Sequence, residues 1–124
     1  MNTIDIKRGD TFRQPRFLDK GKLRKFDVVI ANPPFSLSNW GEATWAKDPY
    51  GRSACGVPPA KNGDFAWIQH MLASMKPGTG RVGVVMPHGV LFRGQREGAI
   101  RQCILKSDQL EAVIGLPNNL FYST

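Results

Sequence analysis

Three short apolar runs, residues 26–31, 82–86 and 110–116, each meet a proline within two residues of their end. Their length and β-branched content are those of buried strands. Between the first two, Phe65, Ile68, Leu72 and Met75 recur at three- and four-residue steps and predict one apolar helix face, with Asp64 as its N-cap and Pro77-Gly78 as its stop. Between the second and third, a helix is predicted from Gly94 or Gln95 to Lys106, with Ile100, Cys103 and Ile104 facing inward. Strand, helix, strand, helix, strand implies an α/β fold, a mostly parallel sheet with crossover helices. Upstream, residues 3–7 alternate weakly as a short strand ending at Gly9-Asp10, and residues 11–25 read as a charged loop. Residues 36–63 are rich in Gly, Pro, Ser, Trp and charge without a period, which reads as a long functional or disordered loop.

In open α/β sheets, ligands bind beyond the carboxyl ends of the strands. The turn at Asn32, the turn Pro87-His88-Gly89 and the segment 117–122 all follow strand ends, and so fall along one edge of the sheet. Asn32-Pro33-Pro34-Phe35 is the most informative of the three. The Asn side-chain oxygen accepts hydrogen bonds, the prolines fix φ and leave carbonyls free to accept, and Phe35 offers a flat face for stacking. The set suits a planar substrate with an exocyclic amine, such as adenine. Asn-Pro after a strand is also a common turn signal, and the four residues alone fit that reading.

The tetrapeptide resembles the catalytic motif of amino-group methyltransferases. The segments Gly9-Asp10-Thr11-Phe12, 64–70, 86–94 and 113–122 extend the resemblance, in one order and over nearly the whole chain, to the modification (M) subunit of type I restriction enzymes. That family is an adenine-specific N6 DNA methyltransferase with an S-adenosylmethionine-dependent, Rossmann-like catalytic domain. The resemblance places residues 1–124 in the C-terminal part of that domain. It implies S-adenosyl-L-methionine as cofactor, with Asp10 near the cofactor's adenine. It implies Asn32, Pro33, Pro34 and Phe35 as the catalytic group, with Phe35 stacking on a base flipped out of the duplex. Phe121 is a second candidate base contact, or else a core or edge aromatic. Implied partners are double-stranded DNA, a specificity subunit and a restriction subunit.

The chain departs from the family pattern in lacking a glycine-rich cofactor motif upstream of Asn32; Gly78-Thr79-Gly80 falls in the wrong order for it. The family's acidic ribose contact and N-terminal helical region are also absent. The expectation is a fragment of one catalytic domain, marginally stable alone and a poor binder of cofactor. Two other functions remain open: a methyltransferase of RNA or of a protein glutamine, and an inactive truncated remnant that binds DNA or partner subunits.

Seventeen Lys and Arg against ten Asp and Glu give a net charge of +7, and residues 1–25 hold eight of the basic groups against three acids. Such a balance favours polyanions through counterion release, although a solvated loop accounts for 20–25 as simply. No apolar run is long enough to span a membrane, and a cytoplasmic setting is expected. There Cys55 and Cys103, with no further ligands at metal spacing, argue against a zinc site and read as free thiols. His70 and His88 receive no catalytic role. Trp40, Trp45 and Tyr50 read as packing residues of the long loop, with contact to DNA bases or a partner subunit as the alternative, and Arg93, Arg96 and Arg101 as a solvated helix face, with phosphate binding as theirs.

Overall fold

The computed structural model describes residues 3–121. Tyr122, the last residue of the 113–122 motif, lies outside them. The elements run β1 (Leu18–Asp19), β2 (Lys22–Leu23), β3 (Val28–Ala31), α1 (Glu42–Trp45), α2 (Asp64–Ala73), β4 (Arg81–Val84), a 3-10 turn (His88–Leu91) and α3 (Gln95–Lys106).

The expected parallel unit is present as β3–α2–β4. Val28 pairs with Arg81 and the register runs in parallel to Ala31 opposite Val84. The Val85 amide then donates to the Ala31 carbonyl at 3.1 Å, so the ladder ends one residue before Asn32. Parallel pairing puts the carboxyl ends of both strands on the same side, which is what brings the two following turns together. The entry to β3 is tied to the end of α2: the Phe26 amide donates to the Ser74 carbonyl at 2.8 Å and the Lys76 amide to the Phe26 carbonyl at 2.9 Å.

The strand at 26–31 is not buried as its composition suggests. Val28 is 62% and Ile30 77% exposed, because β3 has β4 as its single strand neighbour among the described residues. Residues 3–7 and 110–116 form no strand, and Ile4, Ile6, Val113 and Ile114 stand exposed. Apolar, β-branched composition sets a propensity, but a strand exists only where a neighbour completes its hydrogen bonds. The segment 110–116 is held beside the sheet by a bidentate Arg81–Glu111 pair, both contacts at 3.1 Å.

Residues 11–25 are more than a loop. Leu18 pairs with Leu23 and Asp19 with Lys22 across a two-residue turn, where Lys20 and Gly21 both take positive φ (52° and 79°). This is the conformation that matches the twist of a tight hairpin.

The core is built around two tryptophans from the stretch 36–63 that carries no period. Trp40, Trp45, Phe12 and Ala66 are buried together, with Val57 and Trp67 against them. Phe12 sits at the centre, its ring 5.3 Å from Trp40, 5.7 Å from Trp45 and 4.1 Å from Trp67. The contacts with Trp40 and Trp45 are edge-to-face, a geometry that adds about 0.5–1.5 kcal/mol each beyond burial, and that with Trp67 is tilted. The indole groups of Trp40 and Trp45 donate to the Pro59 and Phe12 carbonyls. The packing expected for Trp40 and Trp45 is therefore observed, and α1 delivers Trp45.

Arg52 is buried beneath this cluster. Its guanidinium holds Asp48 at 2.8 Å, donates to the Thr11 and Phe12 carbonyls, and lies over the rings of Trp45 and Tyr50. His70 of α2 stands 3.3 Å from it through Nδ1. Burial first, then the Arg52 charge, push the imidazole pKa down from 6.5 to about 4, against the smaller pull of Asp48. A structural role for His70 fits this setting.

Two further readings are corrected. Cys55 and Cys103 form a disulfide, tying α3 to the loop after Arg52. They lie 48 residues apart in sequence, but folding brings their Cα atoms to 5.6 Å, within the range a disulfide needs. Arg93 and Arg101 do not belong to a solvated face, whereas Arg96 does stay exposed. Arg93 is paired with Glu97 and Asp64, Arg96 with Glu42, and Arg101 donates to the Val90 and Arg93 carbonyls. The α3 limits match the prediction, with Ile100 in the core.

Candidate active site

Asn32 follows the last residue of β3 and is exposed; Pro33 is buried, Pro34 exposed and Phe35 half-buried. Buried Pro33 anchors the turn, and its fixed φ limits how the flanking residues can move. On the neighbouring strand end, Val85, Met86 and His88 face the same space. Residues 116–121 close the third side, giving an open cleft of about 480 Å³. That volume falls in the range of small-molecule sites. Phe35 and Phe121 both line it. The three segments thus meet at one place, the first through Phe35 alone, since Asn32, Pro33 and Pro34 are not among the residues that line the cleft, and the third descends from a stretch that forms no strand.

Asp10 is not among the residues that line this cleft. Its Oδ1 accepts the backbone amides of Phe12 and Arg13, both at 3.0 Å, and its Oδ2 takes the Arg13 guanidinium at 2.8 Å. Partial burial pulls the carboxyl pKa up, but these hydrogen bonds outweigh it and hold the group below its ordinary value. Gly9 and Thr11 beside it line a separate hollow of about 160 Å³, with Val29 of β3 and His70 of α2 on its far wall. Ligand pockets begin near 300 Å³. The Asp10 carboxylate is an acceptor of the type a cofactor adenine needs, but it is engaged by Arg13 and does not line the hollow, so the residues around it do not by themselves hold a cofactor such as S-adenosylmethionine.

Asp64 is the residue whose role sequence reasoning misplaced. It is the first residue of α2 rather than its cap. Gly63 holds the cap position without a side-chain bond, and Asn62 Oδ1 accepts the Asp64 amide at 2.9 Å. The Asp64 side chain is wholly buried and points away from its own helix end. Its Oδ1 accepts the backbone amide of Ser36 at 2.8 Å, and its Oδ2 accepts Arg93 Nη2 at 2.7 Å. Ser36, directly after Phe35, has φ 52°, a left-handed conformation unusual for a serine. Arg93 is held in turn by both oxygens of Glu97, at 2.8–3.0 Å. Hydrogen bonds to Glu97 first, and to Asp64, raise the Arg93 pKa against its partial burial. No local pattern announces a contact across 28 residues, so only the fold reveals it.

The N-6 DNA Methylase family model matches residues 1–124. The HindI methylase subunit of a type I restriction enzyme from Haemophilus influenzae is 37% identical over 116 residues, covering 93% of this chain and 25% of that protein. The MjaIX methylase subunit of Methanocaldococcus jannaschii is 36% identical over 124 residues, covering 96% of this chain and 21% of that protein. Among solved structures, the type I restriction-modification methyltransferase subunit of Streptococcus thermophilus superposes with a TM-score of 0.82 at 36% identity, over 93% of this chain and 24% of that one. The chain thus spans about a quarter or less of the length of these relatives. With the family model matched from end to end and the same fold in a relative, the chain belongs to the N-6 DNA methylase family.

Proposed function

We propose that this chain is part of the catalytic domain of a type I modification subunit, a DNA methyltransferase that methylates adenine at N6. The observation that carries the reading is the placement of Asn32-Pro33-Pro34-Phe35 at the carboxyl end of β3, with Phe35 opening onto a cleft that Phe121 also lines.

The adenine amine is conjugated and weakly nucleophilic. In this reading the Asn32 side-chain oxygen and the Pro33 carbonyl accept its two hydrogens. That draws the nitrogen toward tetrahedral geometry, frees its lone pair and stabilises charge as it develops. No base removes a proton beforehand; orientation supplies most of the rate. Phe35 stacks on one face of the base and Phe121 provides a second contact, which compensates for the stacking lost when the base leaves the duplex. S-adenosylmethionine, when bound, would supply an electrophilic methyl group, and Asp10 would be the residue that contacts its adenine. The specificity subunit selects the DNA sequence and a restriction subunit shares the complex.

The net charge of +7 and the basic residues of the first 25 positions support a DNA partner. No helix among the described residues is long and apolar enough to cross a membrane.

The test is the identity of the methylated atom. The complete reading frame and its specificity subunit, given tritiated cofactor and unmethylated DNA, should place label in N6-methyladenine after digestion to nucleosides. Label in RNA or in protein glutamine would transfer the chain to the second enzyme class. No label from a folded complex would leave a DNA- or partner-binding remnant.

A further inference from the structure

We infer that Asp64 is a positioning residue for Phe35, and that its pair with Arg93 locks together the two turns that form the cleft; this rests on the reading of the cleft as the adenine site. Three observations converge. First, Asp64 is fully buried, yet it spends neither oxygen on its own helix: one binds the Ser36 amide and the other binds Arg93. A carboxylate is costly to bury, and it persists where its partners fix a geometry. Second, the residue it clamps adjoins Phe35 and has φ 52°, a left-handed conformation that L-residues other than glycine rarely adopt. A charge-assisted hydrogen bond to the Ser36 amide is of the size needed to hold that conformation. The Gly63 amide adds a second tie, to the Leu37 carbonyl at 2.8 Å.

Third, Arg93 carries the clamp to the other wall. It lies just past the 3-10 turn His88–Leu91, and its own amide donates to the Gly89 carbonyl at 2.9 Å. Its guanidinium fills the space over Gly89, where an added Cβ would clash with Nη1. His88, in that turn, lines the cleft opposite Phe35. The chain Phe35–Ser36–Asp64–Arg93–Gly89–His88 therefore runs behind the cleft and sets the distance between its walls. Glu97 neutralises Arg93 whether or not Asp64 is present, so removing Asp64 loosens Ser36 without stranding a buried cation.

The test uses the complete reading frame with its specificity subunit. Asp64→Ala should lower kcat for adenine methylation about 100-fold, the scale at which small misplacements act, with the cofactor Kd unchanged within twofold. Hydrogen exchange at the Ser36 amide should rise at least tenfold while amides in the middle of α2 keep their protection. Ser36→Gly in the D64A background should recover about tenfold in kcat, because glycine adopts the left-handed conformation without strain. Asp64→Asn, which retains an acceptor for the Ser36 amide, should fold and lose less than tenfold. The inference is overturned if D64A keeps its kcat, if Ser36 exchange does not change, if S36G gives no rescue, or if D64N is as damaged as D64A. A wild-type complex that methylates no adenine would instead sink the underlying reading of the site, and this inference with it.

Discussion

Acidification from pH 7 to pH 5 should destabilise this chain through His70, before most carboxylates titrate. The imidazole is largely buried against Arg52, and its pKa is held near 4 instead of the ordinary 6.5. The sign follows from proton binding. Between those values the unfolded chain carries the proton and the folded chain does not, so stability falls as pH falls through that window. At pH 5 the unfolded imidazole is almost fully protonated and the folded one almost fully neutral. The difference is worth about 2 kcal/mol, approaching about 3 kcal/mol near pH 4. In urea that corresponds to a midpoint lower by roughly 1–2 M. His70→Asn is the control: it keeps an acceptor where Nδ1 meets Arg52 and does not titrate. The wild type should lose about 2 kcal/mol more than H70N between pH 7 and pH 5. Equal losses in the two proteins would show that His70 is not held neutral, and would refute the account of the Arg52 cluster.

The same cluster predicts that Arg52→Met destabilises by about 3–5 kcal/mol, because it leaves the buried Asp48 carboxylate without its partner; urea unfolding at pH 7 measures this, and a loss under 1 kcal/mol would contradict it. Phe35→Ala in the complete complex should weaken binding to DNA bearing a flipped adenine by roughly 1–3 kcal/mol. Titration by fluorescence would detect it, and unchanged binding would remove Phe35 from the site.

The parts of the fold that were legible are those whose signal is local. Helical spacing located α2 and α3, and proline-closed apolar runs located β3 and β4, including the turn that presents Asn32. The core was harder to read, because Trp40 and Trp45 sit in a stretch with no period and find each other through Phe12, a residue about 30 positions away. The run 110–116 has strand composition but no strand, since pairing belongs to the neighbour and not to the segment. The Cys55–Cys103 bond and the Asp64–Ser36 contact likewise join residues whose proximity only the tertiary fold creates. At the candidate site, sequence indicated which residue types converge. It did not indicate that Asp10 would be engaged by Arg13 and stand outside the cleft that Phe35 and Phe121 share.

The central claim is that Asn32 carries methyl transfer to adenine. Its most direct test is single-turnover transfer of tritiated methyl to unmethylated DNA by the complete complex, wild type against Asn32→Ala. Loss of a transition-state acceptor of this kind should lower the rate at least about 100-fold while cofactor and DNA affinities hold. A mutant that transfers methyl to adenine at the wild-type rate would contradict the account.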